Sequence, residues 1–297
     1  MEYQPLGSSD LQVSRISFGC MSLGMDEALN SRLLHRAIDL GINFFDTADL
    51  YQKGENERML GRILKAKRKD LIIATKVGNQ WRADGSGWDW NPTKAYILKA
   101  VKKSLRRLQT DYIDLYQLHG GTIDDPIDES IEAFEQLKAE GLIRHYGISS
   151  IRPNVIRTYC ERSNIASIMM QYSLLDRRAE ETVFEELRQD GISVIVRGGL
   201  AKGLLASKAA RDYLGFTQTE VAQAGALLEE QVGERSRGQA ALAYCLAEPA
   251  VATVACGISK LEQLEENAAA MQYPPLSAHQ LQALKQAVRA AIYEKHR

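Results

Sequence analysis

Eight short apolar runs recur along this chain of 297 residues, and stretches with helical spacing lie between them. The runs are Arg15–Phe18, Ile42–Phe45, Leu71–Thr75, Tyr112–Leu118, Ile143–Ile148, Ala166–Met170, Ile192–Val196 and Val251–Ala255. Strand and helix in alternation imply parallel strands joined by crossover helices. Runs that are apolar almost throughout fit strands buried on both faces. Eight such units in fewer than 300 residues imply an α/β fold, a (β/α)8 TIM barrel with an outer ring of helices. An open doubly wound sheet is the competitor, and it prefers a Gly-x-Gly-x-x-Gly turn after its first strand. The segment Phe18-Gly19-Cys20-Met21-Ser22-Leu23-Gly24 does not have that pattern.

The intervening stretches carry their own signals. Ile127, Ile131, Phe134 and Leu137 recur at spacings of four and three, as do Ile97, Val101 and Leu105 at four, so helices are expected over 127–141 and 92–108. Gly41, Gly141 and Gly191 stand between a helix and the next strand, where a left-handed residue ends the helix. Pro153 suits a first helical turn. Two parts fall outside the eightfold count. Tyr3–Val13, with Gly7-Ser8-Ser9-Asp10 as its turn, reads as an N-terminal β-hairpin plugging one mouth, and Ser277–Lys295 reads as an extra C-terminal helix. With no linker or low-complexity stretch, residues 1–297 are expected to form one domain.

Charge excludes some partners. The 37 basic and 38 acidic residues nearly cancel, without a basic tail or stripe, so neither nucleic acid nor anionic membrane is the expected partner. No apolar run is long enough to span a bilayer, and the start of the chain has no apolar core of a secretory signal. Cys20, Cys160, Cys245 and Cys256 are scattered, which fits reduced thiols in a cytoplasmic protein. The histidines form no metal-ligand spacing.

The chemistry concentrates where strands end. Asn43-Phe44-Phe45-Asp46 delivers a carboxylate at the end of the second run, and Tyr51 follows five residues on. A buried carboxylate requires a partner. Lys76 ends the third run and His119 the fourth. In a barrel of this type such positions share the catalytic rim. Acid, phenol, ammonium and imidazole together can protonate a carbonyl oxygen. A hydride arriving at the carbonyl carbon puts charge on that oxygen, and a donor must meet it. A free phenol, with a pKa of about 10, is a weak donor near neutrality. Lys76 is expected to lower the pKa of Tyr51, with Asp46 holding Lys76 charged and aimed. Tyr51 is then the general acid, and His119 orients the carbonyl or assists the transfer.

The same residues carry a family resemblance. Gly41-Ile42-Asn43-Phe44-Phe45-Asp46-Thr47-Ala48-Asp49-Leu50-Tyr51, Ala74-Thr75-Lys76, Asp111-Tyr112-Ile113-Asp114-Leu115-Tyr116-Gln117-Leu118-His119 and Gly147-Ile148-Ser149 resemble the aldo-keto reductase superfamily, over essentially the whole chain. The resemblance implies a barrel that binds a nicotinamide cofactor without a dinucleotide-binding fold and reduces aldehydes and ketones. It makes Asp46, Tyr51, Lys76 and His119 the catalytic four. It puts Ser149 and Gln171 near the nicotinamide carboxamide and makes Gly19 and Met21 cofactor contacts as well. The loop of Arg197, Gly198, Leu200 and Lys202 lies on the pyrophosphate, and Gly257, Ser259, Lys260, Gln263, Glu266 and Asn267 on the adenosine. NADPH is the cofactor implied, NADH being the less favoured form.

Three positions depart from the family's common pattern: Ser150 replaces an Asn, Arg197 an aromatic that stacks on the nicotinamide, and Gln263 an Arg that grips the 2′-phosphate. They are similar to a bacterial general oxidoreductase-like branch. The loop Asn79–Asn91 holds Trp81, Trp88 and Trp90 and is expected either to overhang a substrate pocket through Trp81 and Trp88 or to fold on its own aromatics. The segment 206–234 is long and polar, and is expected to be mobile until cofactor binds. The leading function is reduction of a small aldehyde or ketone. A regulatory or scaffold barrel that binds cofactor with little turnover is the alternative. A Schiff-base role for Lys76 is a third, and it requires a depressed lysine pKa.

Overall fold

The computed structural model describes residues 1–231 and 233–297. Its strands are β1 (Tyr3–Pro5), β2 (Gln12–Ser14), β3 (Ile16–Gly19), β4 (Phe44–Asp46), β5 (Ile72–Val77), β6 (Asn79–Trp81), β7 (Trp88–Trp90), β8 (Ile113–Leu118), β9 (Ile143–Ser149), β10 (Ser167–Gln171), β11 (Ser193–Arg197) and β12 (Val251–Gly257). Eight of them close a parallel barrel in the order β3-β4-β5-β8-β9-β10-β11-β12. Each expected run overlaps one of these strands, most of them starting slightly early. Ile42 and Leu71, for instance, are buried just before their strands begin, so the apolar signal starts in the turn.

Helices form where the periodicity places them, at Lys94–Leu108 and Ile127–Ala139. Thr93 caps the first by accepting from the Tyr96 N–H. Gly41, Gly141 and Gly191 have φ of 85°, 72° and 66°, the left-handed exit expected of them. Pro153 opens the helix Pro153–Arg162. Gln109 takes the same exit at φ 52° with a side chain that must tolerate it. Gln109→Gly should therefore raise stability by about 0.5–1 kcal/mol, and a thermal midpoint at or below that of the parent would contradict this.

Two apolar layers surround the strands. Inside the barrel, Phe44, Ile72, Ala74, Leu115, Met169, Ile195 and Ala252 pack on Leu6, Leu11 and Val13 of the hairpin. The hairpin β1–β2 closes the amino-terminal end, where the Gly7 N–H donates to Ser193 Oγ at the start of β11. A larger apolar layer fills the space between barrel and helices. Side chains alternate along a strand. The interior set therefore continues from Phe44 to Asp46, from Ala74 to Lys76, from Leu115 to Gln117, from Met169 to Gln171 and from Ile195 to Arg197. The interior is apolar at the plugged end and polar at the carboxyl end.

Two expectations about the connections are corrected. The last helix is Ala278–Ala287, not Ser277–Lys295. The buried Arg177 guanidinium donates to the carbonyls of Lys285 and Val288, which ends the helix, and the chain continues without helix from Val288. Residues 79–91 form the antiparallel hairpin β6–β7, with Trp81 opposite Trp88. Segment 206–234 contains the helix Gln218–Gln231; Val232 lies outside the described residues.

Candidate active site

At the carboxyl ends of the barrel strands a cavity of about 1400 Å³ opens, with Asp46, Tyr51, Lys76 and His119 together in its lining. Strand register explains the grouping. Asp46 of β4 pairs with Ala74 and Lys76 of β5 with Gln117, which puts both side chains inside the barrel one layer above Phe44 and Ala74. His119 follows β8, its N–H donating to Val77 O. Tyr51 sits in the turn after β4, followed by Gln52, Lys53 and Gly54, all at positive φ. That sharp left-handed turn folds the phenol back over the rim.

Lys76 is the hub. It is 1% exposed, and its Nζ donates to Asp46 Oδ2 and to Thr47 O, each at 2.6 Å. An ammonium has three protons. The third is available to Tyr51, whose ring centre lies 5.2 Å from Nζ. Gln117, fully buried, donates from Nε2 to Asp46 Oδ1 at 3.3 Å. Gln117 was not among the expected site residues. Its signal was its parity, two residues before His119 on an inward-facing register.

Burial dominates the electrostatics. It would lower the pKa of Lys76, but Asp46 and Tyr51 outweigh it, and Lys76 is held above the usual lysine value. Asp46 is raised by burial against the opposing pull of Lys76. Tyr51 differs from expectation: burial raises its pKa, and Lys76 only moderates the rise. A charged neighbour 5.2 Å from the ring centre does not overcome the loss of water around a phenolate. Burial, then Lys76 and Arg197, push His119 down to about 3, so the imidazole is neutral. Its ring stands edge-on to Tyr51 at 5.9 Å, and its buried Nδ1 has no partner among the described residues.

Asp49 lies two residues before Tyr51 and faces away from this cavity. Burial, with Glu57 next in effect, pushes its carboxyl up from 3.8 to about 8. Between those values the folded chain holds a proton that the unfolded chain has released. Its contribution to stability is thus complete below about pH 4 and lost as pH rises through about 8. Asp49→Asn should flatten this decline. Parallel urea unfolding of both forms across that range is the check, and equal slopes would sink the assignment.

The rest of the cavity wall comes from the later strands and loops. Gly19, Met21, Ser149, Arg197, Gly198, Leu200, Lys202, Gly257, Ser259, Gln263, Glu266 and Asn267 line it. Gln171 and Lys260 do not. Gln171 holds two residues of the lining, accepting from Arg197 Nη1 and donating to Asp176 Oδ2. Lys260 is the exposed residue that opens the helix Leu261–Ala269. Gln263 Oε1 accepts from both the N–H and the hydroxyl of Ser259. Trp81 and Trp88 are outside the lining too. Trp81 Nε1 donates to Leu50 O, Trp88 is exposed, and Trp90 Nε1 donates to Asp125, so two of the three indoles are tied to residues outside the hairpin. Residues 291–296, beyond the helix, line the mouth instead.

This wall suits a dinucleotide. Ala201, Lys202 and Gly203 are three successive residues at positive φ, backbone of the kind that makes anion-binding concavities. Lys202, Lys208 and Arg211 line the cavity with no carboxylate partner among the described residues. No cluster of His, Cys, Asp and Glu able to hold a metal occurs among the described residues.

A parallel eight-stranded barrel with this rim defines an oxidoreductase of the aldo-keto reductase type, and the family model "Aldo/keto reductase family" matches residues 15–289. The chain belongs to that family. It is 51% identical over 306 residues to the Bacillus subtilis protein called uncharacterized oxidoreductase YqkF, with 100% of both chains covered. It is 54% identical to the solved holo form of aldo-keto reductase AKR11C1 from Bacillus halodurans, with a TM-score of 0.95 and coverage of 100% of this chain and 99% of that one. It is 30% identical to the NADH-specific methylglyoxal reductase of Escherichia coli, over 91% of this chain and 94% of that protein.

Proposed function

We propose that this protein is an NADPH-dependent reductase of small aldehydes or ketones in which Tyr51 is the general acid. The observation that carries the reading is Lys76, whose Nζ is fixed at 2.6 Å by both Asp46 and Thr47 O while its remaining proton serves Tyr51. A bound nicotinamide supplies the hydride. The chain's own residues do the rest. The neutral His119 holds the carbonyl oxygen by a hydrogen bond, and its lowered pKa keeps it from competing as an acid. Tyr51, kept as the protonated phenol by burial, gives its proton to the developing alkoxide. Lys76 then steadies the phenolate left behind. A raised Lys76 pKa opposes the Schiff-base alternative, which needs a free amine.

The preference for NADPH rests on Ser259 in the cavity wall and Lys260 beside it at a helix start, a place that favours phosphate. The relative described as NADH-specific makes this the point to test. Direct titration should give tighter binding of NADPH than of NADH, and Lys260→Ala should weaken NADPH alone, by about 1.5–3 kcal/mol. Equal affinities in the parent chain would overturn the preference. Four cysteines, none in a disulfide, suit a reducing compartment such as the cytoplasm. No helix among the described residues is long and apolar enough to cross a membrane.

A further inference from the structure

Behind the loop that carries Tyr51 lies a second cavity, about 240 Å³, whose floor is Asp49. Leu50 and Tyr51 face the catalytic cleft, and Asp49 faces this cavity, so one turn of chain walls both. The walls are cationic. Lys99, Lys103 and Arg107 follow one another on a single face of the helix Lys94–Leu108. Lys53 reaches in from the opposite side, 5.1 Å from the centre of the Trp81 ring. Arg107 is committed to Glu57, but Lys99 and Lys103 have no carboxylate partner among the described residues.

Asp49 is 8% exposed, and its Oδ1 has no hydrogen-bond partner among the described residues. A buried carboxyl oxygen among four cations is expected to pair with one of them. Asp49 does not, and that marks a place where something else completes the set. We propose that this cavity binds a small tetrahedral oxoanion of the phosphate or sulfate type. The ammonium groups of Lys99 and Lys103 supply the charge, and the protonated carboxyl of Asp49 donates the hydrogen bond at the floor.

The surroundings of Asp49 agree with that protonation state. The groups that face it are Glu57 and Arg107 from the flanking helices, Lys76 from β5, and Tyr96 and Tyr116. Burial and Glu57 prevail over the two cations and keep the proton on Asp49 up to about pH 8. Above that, an ionised Asp49 repels the anion, so binding must weaken as pH rises. Sulfate is the suitable probe, because it does not change charge in that range.

The test is calorimetric titration of the intact chain with sulfate at neutral pH, with ionic strength held by chloride. Saturable binding is expected, and Lys99→Gln/Lys103→Gln should weaken it about tenfold or more, since each ammonium makes a charge-assisted hydrogen bond. Both lysines are exposed, so that variant folds as the parent does. Asp49→Asn keeps an N–H donor at the floor. It should bind sulfate at neutral pH and lose the weakening seen in the parent above about pH 8. Absence of saturable binding at millimolar sulfate overturns the proposal. So does binding that the double lysine variant leaves unchanged, because the anion then sits in the catalytic cleft. Loss of binding at neutral pH in Asp49→Asn overturns it as well.

Discussion

Tyr51→Phe should lower the rate of carbonyl reduction by about a thousandfold, within the range a positioned general acid contributes. Cofactor affinity should stay close to that of the parent, because the ring remains and only the hydroxyl is lost. On the proposed mechanism the phenol is the acid for this task. His119 is neutral down to about pH 3, Asp46 is turned to Lys76 and Gln117, and Lys76 has its protons committed. Single-turnover kinetics with a small aldehyde separate the chemical step from cofactor exchange. A variant that reduces aldehyde at the parental rate would remove Tyr51 from the mechanism. The parent's rate should also be flat through the ordinary titration range of histidine, about pH 6.5.

Arg107→Met should destabilise the fold by about 3–5 kcal/mol, the cost of stranding a buried charge. The stranded group is Glu57, which has no exposed surface. Arg107 Nε donates to its Oε2 at 2.5 Å, and Thr75 Oγ1 donates to its Oε1 at 2.6 Å. These bonds join the helices Glu55–Leu64 and Lys94–Leu108 to the outer face of β5. Removing the carboxylate as well, in Glu57→Gln/Arg107→Met, should recover part of the loss, which separates charge stranding from lost packing. A single-variant cost under about 1 kcal/mol in urea unfolding would show that Glu57 reaches water or another cation.

What could be read from the sequence was what repeats. The barrel strands were legible because each is a short apolar run, and Asp46, Lys76 and His119 because they sit at the ends of successive runs. Arg197 and Gly257 end later strands in the same way. Side chains that act across long sequence distances were not legible. Residues 288–295 contain no glycine or proline to end a helix, and the carbonyls at its end are taken by the guanidinium of Arg177, more than a hundred residues earlier. The pKa of Tyr51 was misjudged for a related reason. Spacing revealed the neighbouring charge, whereas the depth of burial depends on the whole barrel. For Trp81 and Trp88, composition alone could not tell an indole beside the cleft from one in its wall, because Trp81 is held by Leu50 O, a partner distant in sequence.

The two ends of the chain are at opposite poles of the barrel. Met1 packs against Gly41 beside the hairpin plug, and residues 291–296 border the open mouth. This gives the molecule a handle and a working face. A solid support, fluorophore or affinity label joined at Met1 stands at the sealed pole and leaves the mouth turned to solution. The same attachment at Arg297 places its bulk beside the entrance and pulls on the residues that frame it. Immobilisation through the amino terminus therefore orients every molecule with its cleft outward.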